Sequence, residues 1–380
     1  MNKTKRFEHC DILFVLSSLS IGGVEKTNIS LANHFSKYYK KKISIVVLTN
    51  KNSQLKNFIS KDIDLIVFDR EHIYQSFFNF LRLIRNIRPK IIFSAMNYVN
   101  IFTIISTKIS LIKTKIIISE RNDQVEKQNA LEGYKEKIYH FAFRFIISRI
   151  YSHANLIHCI SEGVKNSLYK AYNVKKKNIK VIYNPINLSL KKKIKLKKKK
   201  VNRSKINLLS VGRLVKQKNH EILIKALAIL KNKINFHLFI IGEGAELYNL
   251  KNLSKKLKLT KNITFTGKLN DPSTYYEEAD IFILSSIYEG FGNVIVEALA
   301  FNCKVISSDC PSGPREILEN GKWGRLFPVN DHICLANSII DVYKNNLYQN
   351  SNIRANDFSI KKIGYEYNKM FNKILHKAVK

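Results

Sequence analysis

The sequence is short of acidic residues. Its 380 residues include 29 Asp and Glu against 65 Lys and Arg, so the formal net charge is +36 at pH 7. An excess of this size has three explanations: a general preference for lysine, an anionic membrane surface, or nucleic acid. Lysines supply most of the charge, whereas base-specific readers of nucleic acid rely on arginine. We therefore expect no nucleic-acid partner, while compositional bias and an anionic membrane surface both stay open.

Cysteine is scarce as well. The five cysteines are odd in number and no pair has CxxC spacing, which argues against a disulfide framework and against a zinc site. A reducing, cytoplasmic compartment fits this pattern. The apolar run at residues 11–18 is too short for a secretory signal, and it predicts a buried strand instead.

A long uncharged apolar run is also missing. The most lipid-like stretch, residues 101–119, is interrupted by Lys108, Lys113 and Lys115, and a bilayer span needs about 20 residues almost free of charge. We therefore predict no transmembrane helix. The apolar fraction of 45% is typical of a globular protein, and 380 residues suffice for two domains.

Short apolar runs alternate with helical patterns along the chain, which predicts parallel sheets covered on both faces. The predicted strands are 12–16, 43–48, 65–68, 91–94, 116–119, 156–160, 180–183, 207–211, 237–241, 263–265, 281–284, 304–307 and 324–327. The segment 191–205 has nine Lys, one Arg and no acid, so it cannot build a core. We predict an α/β protein with a doubly wound, Rossmann-like domain in 1–190, a linker in 191–205 and a second such domain in 206–360. A C-terminal helix in 361–380 could cross back to the first domain.

The first candidate for chemistry is the segment from Gly212 to Asn219. It closes a predicted strand and opens a predicted helix, His220–Leu230. Glycine permits a tight turn, and Arg213 and Lys218 then project beside a helix N-terminus, which suits a diphosphate. A solvated basic loop is the alternative interpretation.

The second candidate runs from Ser286 to Glu297, where a strand enters a glycine-containing turn and then an apolar helix. Gly290 and Gly292 leave backbone N–H groups free to approach a ligand. Glu297 falls on the apolar helix, where an unpaired carboxylate is costly, so it should have a partner such as ribose hydroxyls. Alternatively, Glu289 is a charge favoured by the helix dipole and Glu297 a capped surface acid.

Together these segments resemble glycosyltransferase family 4, a family of GT-B fold with retaining stereochemistry. The matching pieces are Gly22-Gly23-Val24-Glu25, Asn184-Pro185, Gly212-Arg213 with Lys218, Ile241-Gly242-Glu243-Gly244, Gly267, Glu289-Gly290-Phe291-Gly292 through Glu297, and Gly313-Pro314-Arg315-Glu316-Ile317 before Asn320-Gly321. They occur in order over nearly the whole chain. The two glutamates seven residues apart, with Arg and Lys upstream, are the specific part of the pattern.

The resemblance implies two Rossmann-like domains that face each other across a cleft, with the acceptor bound by 1–190 and the nucleotide sugar, UDP-linked, by 206–360. It implies that Arg213 and Lys218 neutralise the departing nucleoside diphosphate, so that no metal and no cofactor are expected. Glu297 would bind the ribose and Glu289 the donor sugar. Further donor-binding positions are Gly22, Gly23, Gly212, Gly267, Gly290, Phe291, Gly292 and Asn293. A front-face mechanism, in which the leaving phosphate accepts the acceptor's proton, comes with the family.

One departure from the family concerns the strand at 116–119. Many relatives carry a histidine after this strand that touches the donor sugar, whereas this chain reads Glu120-Arg121-Asn122-Asp123. Arg121 could contact a donor or acceptor phosphate, or it could be a surface residue paired with Asp123.

Two basic aromatic segments bear on the acceptor. Residues 73–88 predict an amphipathic helix ended by Pro89. This helix and residues 139–151 could lie in a membrane interface, or could simply cover the sheet with their apolar sides. The variant Cys310-Pro311-Ser312-Gly313-Pro314-Arg315-Glu316 resembles family members that add hexoses or N-acetylhexosamines to polyprenyl-diphosphate-linked bacterial glycans. We therefore expect a peripheral enzyme on the inner face of the cytoplasmic membrane, with an anionic membrane surface as partner.

Two rival functions stay open at this point. A nucleotide-sugar 2-epimerase shares the double α/β layout, but it needs acids placed for elimination and lacks the spaced glutamates. A non-enzymatic basic module that binds lipid or nucleic acid explains the charge, but it leaves the ordered Gly, Arg, Lys and Glu positions unexplained.

Overall fold

The computed structural model describes residues 10–50, 53–125, 144–174, 178–186, 205–348 and 350–376. The chain divides into two units, one of Met1–Pro185 with Ile360–Lys380 and one of Ile186–Ser359. Residues 191–204 of the predicted linker, and residues 139–143 of the second basic aromatic segment, lie outside the described residues.

The first unit is built on a seven-stranded sheet with the order β3-β2-β1-β4-β5-β6-β7. Its strands are β1 (Ile12–Leu16), β2 (Ile43–Val47), β3 (Asp64–Val67), β4 (Ile91–Ala95), β5 (Lys115–Glu120), β6 (Leu156–Cys159) and β7 (Ile179–Val181). Every neighbouring pair is parallel. The central strands are buried on both faces, as their continuous apolar runs predict.

Helices cover both faces of this sheet. They are α1 (Gly23–Tyr39), α2 (Phe77–Ile87), α3 (Asn97–Ser110), α4 (Glu162–Tyr172) and a C-terminal helix (Ile360–His376), with 3₁₀ turns at Lys56–Phe58 and Ile73–Ser76. On one face, α1 and the C-terminal helix share a core in which the rings of Phe35 and Phe371 are 5.2 Å apart. On the other face, α2 and α3 bury Phe80, Ile84 and Val99.

The second unit repeats the plan with six strands in the order β10-β9-β8-β11-β12-β13. Its strands are β8 (Ile206–Val211), β9 (Phe236–Ile241), β10 (Ile263–Gly267), β11 (Ile281–Leu284), β12 (Lys304–Ser308) and β13 (Arg325–Phe327). Its helices are α5 (His220–Leu230), α6 (Leu247–Lys256), α7 (Ser273–Glu278), α8 (Asn293–Ala300), α9 (Pro314–Ile317), α10 (His332–Lys344) and α11 (Asn352–Ala355). All of its strand pairs are parallel.

Each sheet reverses its strand order at one point, between β1 and β4 in the first unit and between β8 and β11 in the second. The loops that leave adjacent strands at such a point diverge, and the crevice beside the carboxyl ends of the strands is where ligands bind in doubly wound sheets. The predicted fold class, two doubly wound α/β units, is confirmed. The described residues of both units contain no helix that is long and apolar enough to cross a bilayer.

Candidate functional site

The loop after β8 places a lysine at the switch point of the second unit. Residues 216–218 form a 3₁₀ turn that ends at Asn219, in the left-handed conformation, where α5 begins. A Cβ atom on Gly212 would lie 3.6 Å from Cδ of Lys218, so the lysine stem runs across the glycine. The loop after β9 packs more tightly against Gly212, because a Cβ atom on Gly242 would overlap the carbonyl oxygen of Gly212.

The loop after β11 is joined to this lysine loop by backbone and side-chain bonds. The backbone N–H of Ile287 donates to the carbonyl oxygen of Gln217 at 2.8 Å, and Nε2 of Gln217 donates to the carbonyl oxygen of Tyr288 at 2.9 Å. Ser285 Oγ donates to the carbonyl oxygen of Lys218 at 2.9 Å. The two loops that flank the switch point therefore form one structure.

An ion pair between Lys218 and Glu289 lies at the centre of that structure. Nζ of Lys218 contacts Oε1 of Glu289, and Ser286 Oγ donates to the same oxygen at 2.7 Å. The side chains of the lysine and the glutamate are only 15% and 8% exposed. The alternative of a solvated basic loop is therefore wrong for Lys218, because its ammonium is paired with Glu289 inside the two loops.

The glycine turn after Glu289 is buried at Gly290, Phe291 and Gly292. Gly292 has φ of 97°, a conformation that favours glycine, and directly precedes α8. Phe291 is 2% exposed, and its ring packs against Phe358 with centroids 5.5 Å apart. The Phe291 side chain is therefore not accessible to a ligand, whereas Asn293, half-buried at the first position of α8, keeps part of its surface accessible.

Glu297 has the partner that its position on an apolar helix requires. The phenol of Tyr276 donates to Oε2 of Glu297 at 2.9 Å. Burial, followed by the charge of Glu297, raises the pKa of Tyr276 well above its ordinary value, so this phenol keeps its proton. The glutamate itself is half-buried, which disagrees with a surface acid.

The other predicted positions of this unit lie on the loop of Lys218 and at the end of β10. Arg213 is exposed on the same loop as Lys218. Gly267 ends β10, at the edge of the sheet and two strands away from β8. The structure thus brings Lys218, Glu289 and Gly212 into contact, and it links Gly267 to Gly212 through Gly242, whose N–H donates to the carbonyl oxygen of Gly267 at 2.9 Å.

In the first unit, the loop after β1 ends with Gly22 as the residue before α1, and Gly23 is the first residue of the helix. Glu25 follows in the first turn and is 7% exposed. Burial raises the pKa of Glu25, and the nearby Arg121 opposes that change.

Arg121 follows β5 and is 5% exposed, so the prediction of a surface residue is wrong. Its Nη1 donates to Oδ1 of Asn184 at 2.6 Å and its Nη2 to Oδ1 of Asn28 at 3.0 Å. Burial is the main cause that lowers the pKa of Arg121, and Tyr367 and Glu25 oppose it. Two amides thus fix the guanidinium, and the proposed contact with donor or acceptor phosphate stays a prediction.

Several contributors to these arrangements were not predicted. Ser286 and Gln217 lie inside the two motifs, and their polar side chains next to buried strands were the available signal. Glu25 was part of the matched glycine turn without an assigned role. Tyr276 had no signal at all, because 21 residues separate it from Glu297.

Among the described residues there is no group of three or more His, Cys, Asp or Glu side chains that could hold a metal ion.

Two family models match consecutive parts of the chain. Residues 21–190 match "Glycosyltransferase Family 4", and residues 191–358 match "Glycosyl transferases group 1". Together the two models span both units.

Two similar proteins come from Campylobacter jejuni. One is named N-acetylgalactosamine-N,N'-diacetylbacillosaminyl-diphospho-undecaprenol 4-alpha-N-acetylgalactosaminyltransferase and is 36% identical over 193 residues, 50% of each chain. The other is named GalNAc-alpha-(1->4)-GalNAc-alpha-(1->3)-diNAcBac-PP-undecaprenol alpha-1,4-N-acetyl-D-galactosaminyltransferase and is 27% identical over 381 residues, 96% of this chain and 98% of that protein. Three of the most similar relatives, the first of these included, are matched over only 50% to 61% of their own length.

Solved structures share the fold. The crystal structure of Anabaena HepE in complex with UDP superposes with a TM-score of 0.77 at 18% identity, over 96% of this chain and 100% of that chain. At 18% identity, the similarity shows a shared fold and nothing more.

Proposed function

From the premise that the chain belongs to glycosyltransferase family 4, we propose that it transfers a hexose or N-acetylhexosamine from a nucleotide sugar to a glycan acceptor. The proposal covers a UDP-linked donor, retention of configuration at the anomeric carbon, and independence of metal ions. The family's named relatives support the reaction class, and the HepE complex with UDP supports the donor class.

The observation that carries the proposal is the ion pair of Lys218 and Glu289 at the switch point of the second unit. An ammonium held in place by a buried carboxylate needs no reorganisation to stabilise charge that develops on a leaving diphosphate. Arg213, exposed on the same loop, supplies a second cation. Two cations perform the charge neutralisation for which other transferases use a metal ion.

The reaction breaks the bond between the anomeric carbon and the oxygen of the β-phosphate. The acceptor hydroxyl oxygen bonds to the same carbon from the same face, and its proton passes to the leaving phosphate oxygen. In this scheme Glu289, with the backbone from Gly290 to Gly292, holds the donor sugar, and Glu297 holds the ribose. Tyr276 orients the Glu297 carboxylate by the hydrogen bond described above.

The acceptor we propose is a glycan linked to a polyprenyl diphosphate in the synthesis of a bacterial surface polysaccharide or glycan. Its support is the pair of Campylobacter relatives, whose names contain diphospho-undecaprenol and PP-undecaprenol. An enzyme with such an acceptor works at the inner face of the cytoplasmic membrane, where an anionic surface attracts a chain of net charge +36.

A screen of sugar nucleotides tests the proposal by measuring the nucleoside diphosphate released with and without a polyprenyl-diphosphate-linked glycan. We expect release with one donor class and only with acceptor, an unchanged rate in a chelator, and a product with the donor's anomeric configuration. Turnover of the sugar nucleotide alone, with epimerisation at C2, would support the epimerase instead. An inverted product, or loss of activity with the chelator, would overturn the corresponding part of the proposal.

A further inference from the structure

The outer surfaces of α2 and α3 form a continuous face on the first unit. The ring centroid of Phe102 on α3 lies 6.2 Å from that of Phe77 and 5.3 Å from that of Phe80, both on α2. At the other end of the two helices, Nε of Arg85 reaches the carbonyl oxygen of Ser110 at 3.4 Å. The helices therefore run side by side in the same direction, and we call their solvent-exposed surface, with residues 111–113, the α2–α3 face.

Large apolar side chains stand out from this face into solvent. Phe78 is 80% exposed, Ile105 39%, Ile109 50% and Leu111 89%. The apolar side chains that cover the sheet are different ones, such as Phe80, Ile84 and Val99. Packing against the sheet therefore explains the buried apolar side chains and not the exposed ones. In the described residues nothing covers these exposed side chains.

The charges on the face have one sign. No Asp or Glu occurs between Glu71 and Glu120, and all of these residues are described. The same stretch contains exposed cations at Arg82, Arg85, Arg88, Lys108 and Lys113. Lys90, which is also in the stretch, is paired with Asp11 at 2.7 Å and does not belong to the face.

We propose that the α2–α3 face docks on an anionic lipid surface. Exposed Phe, Ile and Leu side chains insert at the level of the headgroups, and Arg and Lys side chains pair with lipid phosphates. Nucleic acid would explain the cations but would leave four exposed aliphatic and aromatic side chains without a contact. A protein partner would need acidic groups around an apolar centre, and it is an outcome of the test below.

The inference extends the proposed function, because an acceptor carried by a lipid is reached at a membrane. α3 begins at Asn97, two residues after β4 ends, and α1 begins at Gly23 after β1. Both helices therefore start at the carboxyl edge of the sheet, the edge where doubly wound units bind ligands. A membrane along the α2–α3 face would thus extend from that edge, near Phe78, to the opposite edge of the first unit, where Leu111 and Lys113 precede β5.

Charge reversal on the face tests the electrostatic half of the proposal. The variant Arg82→Glu, Lys108→Glu, Lys113→Glu is compared with Lys251→Glu, Lys255→Glu, Lys233→Glu on the second unit. The three control lysines are exposed and occupy matching positions. Lys251 lies inside a helix, Lys255 lies in its last turn, and Lys233 lies in a loop. On vesicles of phosphatidylcholine with phosphatidylglycerol, we expect the face variant to lower the ratio of bound to free protein by about tenfold or more, and the control by about twofold or less.

Equal losses in the two triple variants would overturn the proposal, because the net charge of +36, and not the face, would then drive binding. Binding of the unaltered protein to pure phosphatidylcholine as strong as to the mixed vesicles would overturn it as well. Saturable capture by a protein from the membrane fraction, with no binding to protein-free vesicles, would assign the face to a protein partner.

Insertion of the exposed apolar side chains into the lipid is tested separately. Phe78→Ser with Leu111→Ser should abolish the part of vesicle binding that survives high salt, where screening removes most of the charge attraction. Tyr248→Ser with Ile353→Ser is the control, since these side chains are 74% and 59% exposed on the second unit. No difference between the pairs would contradict insertion.

Transferase activity measured with two kinds of acceptor tests membrane docking separately from the proposed function. With a water-soluble acceptor that carries a short-chain diphosphate, the face variants should release nucleoside diphosphate at the rate of the unaltered protein. With the acceptor in vesicles they should be slower. If both rates fall together, the face belongs to the reaction and not to membrane docking.

Discussion

The carboxyl edges of the two sheets use buried charge in opposite ways. In the second unit, Lys218 and Glu289 neutralise each other directly, and the lysine keeps 15% of its side chain exposed. In the first unit, Arg121 is held by the neutral amides of Asn28 and Asn184, and is almost completely buried.

The difference separates a charge that can change partners from one that is locked in place. An ammonium paired with a carboxylate at the mouth of a glycine turn can pair with a phosphate without leaving a buried group unsatisfied, because Ser286 still donates to Glu289. A guanidinium fixed by two amides cannot move without breaking both bonds. We therefore expect chemistry to depend on the second edge and folding to depend on the first.

The largest effect on activity should follow removal of the Lys218 ammonium. Lys218→Ala should lower kcat on the order of 10²–10³-fold, because a fixed charge that acts on the leaving group is lost. The measurement is nucleoside diphosphate release at saturating donor. Lys216→Ala, exposed in the same 3₁₀ turn, should leave kcat unchanged.

Fluorescence of Trp323, the only tryptophan and a residue of the second unit, shows whether the Lys218→Ala protein is folded. A loss of activity in proportion to the fraction of unfolded protein would show that Lys218 has a structural role. The carboxyl edges of the two sheets would then not differ in function.

The second effect concerns the contact between the loops after β8 and β9. Gly242→Ala should lower the free energy of unfolding by about 3 kcal/mol, since φ is +151° and the new methyl group would overlap the carbonyl oxygen of Gly212. Gly321→Ala is the control, with φ of +100° and no heavy atom within 4 Å, and should cost about 1 kcal/mol. Urea unfolding followed by Trp323 fluorescence measures both. Equal costs would mean that the two loops are not packed as described.

A third prediction addresses the locked arginine. Arg121→Leu should destabilise the first unit by about 1–3 kcal/mol, because Asn28 loses its buried partner. The unfolding transition seen by far-UV circular dichroism should shift, while the Trp323 transition stays. Arg82→Leu, at an exposed position, should change stability by no more than about 0.5 kcal/mol. A rise in KM for the donor in the fully folded variant would show that Arg121 also contacts substrate. The carboxyl edge of the first sheet would then contribute to the reaction as well as to folding.

A fourth prediction concerns the pH dependence of stability next to Lys218, which is small over any single pH unit. Burial, followed by the charge of Lys218, lowers the pKa of His220 to about 4. The unfolded chain therefore takes up a proton before the folded one does, and stability falls as the pH decreases from about 6.5 to about 4. His220→Leu should remove up to about 1.4 kcal/mol per pH unit of this dependence, as measured by urea unfolding through Trp323. Identical slopes in both proteins would show that His220 is accessible to protons in the folded state.

Regular structure was largely predictable from sequence, because burial on both faces of a parallel strand requires a continuous apolar run. The strands at Ile12–Leu16 and Ile281–Leu284 and the helix at His220–Leu230 have the predicted bounds. The region 73–88 differs, since it is a 3₁₀ turn followed by α2, and Arg88 adopts a left-handed conformation that ends the helix. Pro89 marked that end in the sequence.

Pairs of distant side chains were not predictable. The sequence marked Lys218 and Glu289 as two separate motifs 71 residues apart, and only the adjacency of β8 and β11 brings them together. Glu297 was expected to need a partner, but nothing in the sequence distinguished Tyr276 from the other 17 tyrosines.

What the sequence determined by itself was local: which segments are strands, where glycines turn the chain, and where cations and acids stand relative to those turns. Apolar periodicity and turn chemistry act over a few residues and can be recognised without a fold. The tertiary structure decided which charges are buried, which are paired, and that an acid-free stretch of two helices forms one exposed face. These properties depend on the order of strands in the sheet, because that order sets which distant loops and helices become neighbours.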